Sequence, residues 1–447
     1  MANSNIDTIK LIDEIFLEVN DSDSRFLSST EYELLKIKTI EESQPKHLYA
    51  LDSPILQPIK NSEQPKMILG PPQDDNIKTN LGCDGTINVS GFVYYNENGV
   101  QKPLINSSVY LYDDDIMVCG SDDLIASTIT DWNGYYQFTN IENCDCSGTI
   151  DMYLKVIMWN TQFRVINPSS DKPYTHITPT ENDIPGGTYI RDMEIPYPGA
   201  AKIFATINLG WNVAAQSQWP GDIWTRYPDG TWPFTEVGNP PIIYIPGGSW
   251  YNFPDVILHE YAHGLMKKAY GIMPNNSGGT HYIHLCYTEG LGWAEDWANF
   301  YPQVINNDGS LDFPFGSINI ERIPNYFCEG QTNEARVAGA LLDLWDINND
   351  SLDQNSNSPI PFVTLWRDAM WGKRKNSFSE YWNTLHPYLT CNQKLSGVQS
   401  VKNNTITVSS ICPPIISNFT QSPKPIYQGT SGTVTCNLSQ GNGDLTY

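Results

Sequence analysis

The sequence predicts a multi-domain chain: an all-β sandwich, then a mainly α (α+β) domain, then the start of a second β-sandwich. Three observations carry this. Across residues 81–198 apolar and polar residues alternate with a period of two, and Gly, Asn and Asp fall between the runs. Across 199–395 longer segments place apolar residues at helical spacing. From 413 to 447 TVTCNLS forms an alternating strand around Cys436 in a Ser/Thr-rich stretch, after a linker at 396–412. A chain of 447 residues is long enough for each of these to bury its own core.

Charge and cysteine usage narrow the function classes. Asp and Glu number 50 against 26 Lys and Arg, a net charge of -24. Nucleic acids and anionic membrane surfaces would be repelled, so neither is an expected partner. No apolar run approaches the roughly 18 residues of a membrane span, and the N-terminus lacks the basic and apolar regions of a secretory leader. The nine cysteines include no CxxC pair and are scattered among Asn, Ser, Thr, Trp and Tyr, a pattern of extracellular disulfides. The sequons at Asn88, Asn106 and Asn418 permit glycosylation. The expected location is therefore extracellular or cell surface.

Residues 1–80 mix charged helix-compatible pieces with Pro-rich stretches and read as an irregular arm or propeptide-like leader. Strands follow at TINVSGFVYY, SSVYLYDDD, IASTIT, GYYQFTNI, TIDMYLKVIMW and QFRVI, with Asn133-Gly134 as a hairpin turn between two of them. Asp113, Asp114 and Asp115 read as a solvated strand end, with calcium as the second reading. The run from VSGFVYY to TDWNGYYQF resembles the transthyretin-like, carboxypeptidase-regulatory-like sandwich, over roughly a quarter of the chain. That resemblance implies fold rather than activity.

In the next region AKIFATINLGWNVAAQSQW opens as a helix, and IIYIP (242–246) reads as a short strand suited to a sheet edge, where an extended peptide could add. The stretch NFPDVILHEYAHGLMKKAYG then holds His259, Glu260 and His263 in the order HExxH. Pro254 suits a first helical position, Asp255 the positive end of the dipole, and Gly271 the stop. On a helix the two histidines stand one turn apart on one face and can reach one metal ion, with Glu260 beside it as a proton acceptor. Catalytic zinc takes three protein ligands, so one more must come from elsewhere. Glu289, in the first turn of TEGLGWAEDWANFY with Thr288 as N-cap, is the candidate.

HEYAHG followed by EGLGWAEDWA resembles the gluzincin metallopeptidases, fungalysin-like in spacing, over about fifty residues. The resemblance implies a zincin-like fold for 199–395, Zn²⁺ as cofactor, His259, His263 and Glu289 as metal ligands, and Glu260 as general base. It also implies an Asp four residues after the ligand glutamate, holding a ligand histidine, and here that position is Trp293. Either Asp296 or Glu295 takes that supporting role, or Glu295 is the ligand and Asn299 its follower. His281, His284 and Tyr326 are the candidates for stabilising a developing oxyanion.

Farther on, NEARVAGALLDLWD is a core helix on which Arg336 packs or forms a surface pair. Asp346, Asn348, Asp350 and Asp353 alternate oxygen ligands in a way that permits calcium, without the Gly and Glu of an EF-hand. The C-terminal segment resembles the first half of an immunoglobulin-like domain, truncated at Tyr447. The function these readings predict is a secreted zinc endopeptidase acting on peptides or proteins. The competing expectations are a surface adhesion or carbohydrate-binding protein with a degenerate peptidase fold, and an exopeptidase.

Overall fold

A computed structural model describes residues 68–69, 83–115, 121–145, 148–279, 281–346, 359–408, 415–421 and 434–439. The expected leader at 1–80, apart from 68–69, and the expected calcium ligands Asn348, Asp350 and Asp353 lie outside the described residues. The chain divides into two compact units, Met1–Met273 with Trp297–Asn319, and Pro274–Asp296 with Ile320–Tyr447.

The first unit begins with strands β1 (Thr86–Glu97), β2 (Ser108–Asp113), β3 (Asp123–Ile129), β4 (Tyr135–Glu142), β5 (Met152–Ile157) and β6 (Phe163–Asn167). Along β1 the buried residues are Ile87, Val89, Gly91, Val93 and Tyr95, the alternation that a pleated strand with one covered face requires. β2 lies between β3 and β5 in an antiparallel sheet, whereas β1 pairs antiparallel with β4 in another.

The Asn133-Gly134 turn therefore corrects the hairpin expectation, because β3 and β4 belong to different sheets. Asp131 explains the turn: its Oδ1 accepts from the amides of Asn133 and Tyr135, both at 2.8 Å. Gly134 has φ +75°, and a Cβ there would come within 2.4 Å of the Val93 carbonyl oxygen. The turn passes the chain from one sheet to the other.

Helix α1 (Pro198–Ala215) starts on Pro198 and is buried on nearly every side. It leads to β7 (Ile223–Arg226), β8 (Phe234–Glu236) and β9 (Ile242–Tyr244), which with β6 form a third sheet in the order β8, β9, β7, β6. β7 runs parallel to both β6 and β9, and β8 is antiparallel to β9. Two expectations change here. The boundary after Pro198 is crossed by this sheet, since β6 lies before it and pairs with β7 after it. Ile242–Tyr244 is an inner strand rather than an edge, and β8 is the edge beside it. Pro246 falls after the pairing ends, where its missing N–H costs nothing.

Helix α2 (Pro254–Tyr270) carries the HExxH residues, with Asp255 in its first turn and Gly271 closing it at φ +72°. Asp255 is buried; it accepts from the Asp312 amide at 2.7 Å and from the Asn306 side chain. Burial, above all, pushes its carboxyl well above the usual range. Helix α3 (Glu289–Asn306) follows, and its Trp297–Asn306 half contributes fully buried Trp297 and Tyr301 to the first unit.

In the second unit Trp293 is fully buried, with its ring 4.6 Å from that of Tyr381. Helix α4 (Glu334–Trp345) is capped by Asn333, whose side chain accepts from the Arg336 amide at 3.1 Å. Arg336 is buried and donates to the Pro324 carbonyl at 3.2 Å, and desolvation lowers its pKa. Disulfides join Cys83 to Cys144 in the first unit and Cys286 to Cys328 in the second.

Candidate metal centre

The HExxH face is set by α2. His259 and His263 stand one turn apart, and their Nε2 atoms approach to 3.2 Å. Two ring nitrogens brought this close can share a cation. His263 is 9% exposed and Glu260 is 7% exposed, so both polar heads sit at a largely dry position.

Helix α3 meets this face through Asn299. Its Oδ1 lies 2.9 Å from His259 Nδ1. An amide oxygen only accepts, so the ring proton is on Nδ1 and Nε2 keeps its lone pair for a metal. Glu295 stands on α3 one turn before Asn299 and shares its face. The ligand atoms of His259, His263 and Glu295 lie within 4.8 Å of one another. Two imidazoles and one carboxylate match the donor set of a catalytic zinc site.

The expected ligand Glu289 is not part of this cluster. It sits at the exposed start of α3, where its Oε1 accepts from Gln331 Nε2 at 2.9 Å. Glu289 is exposed in the first turn of α3, whereas Glu295, farther along the helix, is 5% exposed. Trp293 is a fully buried packing residue, and Asn299 stands four positions after Glu295. Thr288 takes the cap role expected of it, accepting from the Leu291 amide at 3.2 Å.

Around Glu295 the second unit places His281 and Glu334. His281 Nδ1 is 2.7 Å from Glu334 Oε1, and its Nε2 is 3.6 Å from Glu295 Oε1. Asp296 is fully buried, and burial, then the charges of Glu334 and Glu295, push its carboxyl well up. Of the three oxyanion candidates, His281 is the one set against Glu295. His284 instead packs its ring 6.1 Å from Phe327, and Tyr326 is 54% exposed. Two residues absent from the sequence reading complete the picture. Glu334 looks like an ordinary acidic residue in the first turn of a capped helix. Thr235, on β8, donates its hydroxyl at 2.8 Å to Glu260 Oε2 and lies equally close to the Glu260 carbonyl.

A second acidic gathering lies in the first unit, at the end of β2. Asp113, Asp115 and Asp145 bring carboxylate oxygens within 4.8 Å of one another. Burial and then neighbouring carboxylates raise Asp113 to about 7 and Asp115 to about 6.

Residues 251–405 match the family model described as the Mycolysin C-terminal domain. That match associates the segment holding α2, α3 and α4, at a coarse level, with thermolysin-like metallopeptidases. No curated protein matches the chain. Among solved structures, a 9R-lipoxygenase from Cyanothece PCC8801 is 17% identical, covering 47% of this chain and 32% of its own, with a TM-score of 0.19. A putative carbohydrate binding protein from Pseudomonas aeruginosa is 19% identical, covering 24% of this chain and 90% of its own, with a TM-score of 0.14. Among the described residues no helix is long and apolar enough to cross a membrane.

Proposed function

We propose that this chain is a secreted zinc-dependent endopeptidase whose metal ligands are His259, His263 and Glu295 and whose general base is Glu260. The observation that carries the reading is the convergence of these three ligands with Asn299 fixing the His259 tautomer. The family match over 251–405 supports the peptidase class, and the two disulfides support an oxidising compartment.

Zinc bound there would supply Lewis acidity, lowering the pKa of a water toward neutrality and polarising the peptide carbonyl. The remaining work falls to the side chains. Glu260 accepts the proton of the attacking water and hands it to the departing amine nitrogen, so that one carboxylate serves as base and then acid. Asn299 keeps the His259 ring from rotating. His281, when doubly protonated with the Glu334 carboxylate accepting from its Nδ1–H, can offer Nε2–H as donor to the carbonyl oxygen as charge gathers there.

The test is zinc content and hydrolysis of a long unblocked peptide by the wild type and Glu260→Gln. Retained zinc with at least about a 100-fold loss of kcat fits the proposal, and internal cleavage products separate endopeptidase from exopeptidase action. A wild type that holds zinc and cleaves no peptide favours the adhesion or carbohydrate-binding reading. A Glu260→Gln variant with full activity rejects the assigned base.

A further inference from the structure

We infer that Thr235 is a positioning residue for Glu260, holding the base at rest and releasing it without stranding a hydrogen bond. This rests on the peptidase reading above.

The geometry begins with strand alternation. On β8, Phe234 and Glu236 face one way: the Phe234 ring stacks 4.4 Å from Tyr244, and Glu236 Oε2 accepts from the Tyr244 hydroxyl at 2.9 Å. Thr235 therefore points to the opposite face. Its register partner Ile243 is fully buried there. A hydroxyl on that face needs an acceptor, since an unmet one is costly.

Two acceptors are present, both from Glu260. The carbonyl oxygen and Oε2 each lie 2.8 Å from Thr235 Oγ1. A threonine hydroxyl has one proton, so it fully serves one acceptor at a time or divides between them. While the carboxylate rests, the threonine proton donated to Oε2 fixes the side chain's rotamer at a site only 7% exposed. When Glu260 turns to take a proton, the hydroxyl rotates to the Glu260 carbonyl and remains satisfied. The carbonyl has a second lone pair and can accept it in addition to its helical N–H. An apolar residue of the same shape would keep the packing and lose both positions.

The choice of β8 has a consequence. Among the described residues it is the edge strand of its sheet, with one long side not paired within that sheet. A residue of the edge strand thus sets the orientation of the base on α2, and a movement of that strand would be transmitted to the carboxylate through a single hydroxyl.

The experiment compares Thr235→Val, which removes the donor at equal shape, with Thr235→Ser, which keeps it, in the zinc-loaded full chain. We expect Thr235→Val to lose about 10- to 100-fold in kcat with KM and zinc content unchanged, and Thr235→Ser to recover most of that loss. Wild-type kcat in Thr235→Val overturns the inference. Equal losses in both variants also overturn it, because packing rather than the hydroxyl would then be responsible. A second readout needs no catalysis: the Tm shifts of Thr235→Val, Glu260→Ala and the double variant. Non-additive shifts show that the contact exists, and additive ones overturn the inference. Non-additive shifts in a protein that cleaves nothing would reject the peptidase reading, and with it the catalytic role of the contact.

Discussion

The centre on α2 and α3 and the acidic gathering at the end of β2 are both triads of ligand-type side chains within the same 4.8 Å, yet they are built differently. At His259, His263 and Glu295 the donors are mixed, and Asn299 fixes the tautomer of one of them. At Asp113, Asp115 and Asp145 all three are carboxylates, and burial first, then neighbouring charge, raises the pKa of two of them. Convergence alone therefore does not distinguish a site from a strained cluster. Orientation by a supporting residue does.

The sharpest way to break this comparison is to remove the third donor. Glu295→Gln should lose zinc stoichiometry, with at least about a 100-fold fall in affinity by competition with a chromophoric chelator, whereas Glu289→Gln should bind as the wild type does. The opposite pattern would restore Glu289 as the ligand. A smaller effect is expected one step out: Asn299→Ala frees the His259 ring and should weaken zinc by about 10- to 100-fold. Unchanged affinity would mean that the ring is held by packing instead.

The smallest effect belongs to the acidic gathering. In the folded chain Asp113 titrates at about 7 against a usual 3.8, so the native state holds a proton that the unfolded chain releases. Its contribution is neutral below about pH 4 and increasingly destabilising from there to about pH 7. Asp113→Asn should then raise stability at neutral pH by roughly 1–2 kcal/mol, an advantage that vanishes near pH 4. Thermal unfolding of both proteins at the two pH values checks this. If EDTA instead lowers the wild-type Tm and leaves the variant unmoved, a bound divalent cation is offsetting the charge.

Much of the centre was legible in the sequence because its signals are local. HExxH is a helix-periodic pattern, and Pro254 and Gly271 mark the ends that the helix takes. The third member of the proposed ligand set was not legible by counting, since which residues of α3 are buried depends on packing. A usable signal was present: Glu295 and Asn299 stand four apart, with a neutral oxygen where the resembling enzymes place Asp. Thr235 gave no signal at all. A three-residue strand is too short to display a period, and its contact with Glu260 spans 25 positions. The edge was assigned to Ile242–Tyr244 because Pro246 ends it, but a proline just beyond a strand does not forbid neighbours on both sides. Among the early strands, alternation marks the strands and says nothing of which sheet each joins, so Asn133-Gly134 has the sequence of a hairpin without forming one.

Gly264, directly after the second histidine, has a consequence for how this chain can vary. A Cβ there would stand 3.1 Å from two carbons of Ile223 on β7, so the helix lies on the sheet with no slack at that point. An alanine at 264 would require the Ile223 side chain to give by a few tenths of an ångström, and a larger residue would press β7 against the turn of α2 that carries His263. Enlargement at 264 should therefore be tolerated best when 223 is made smaller. The two positions should be inherited as a pair, although neither touches the chemistry.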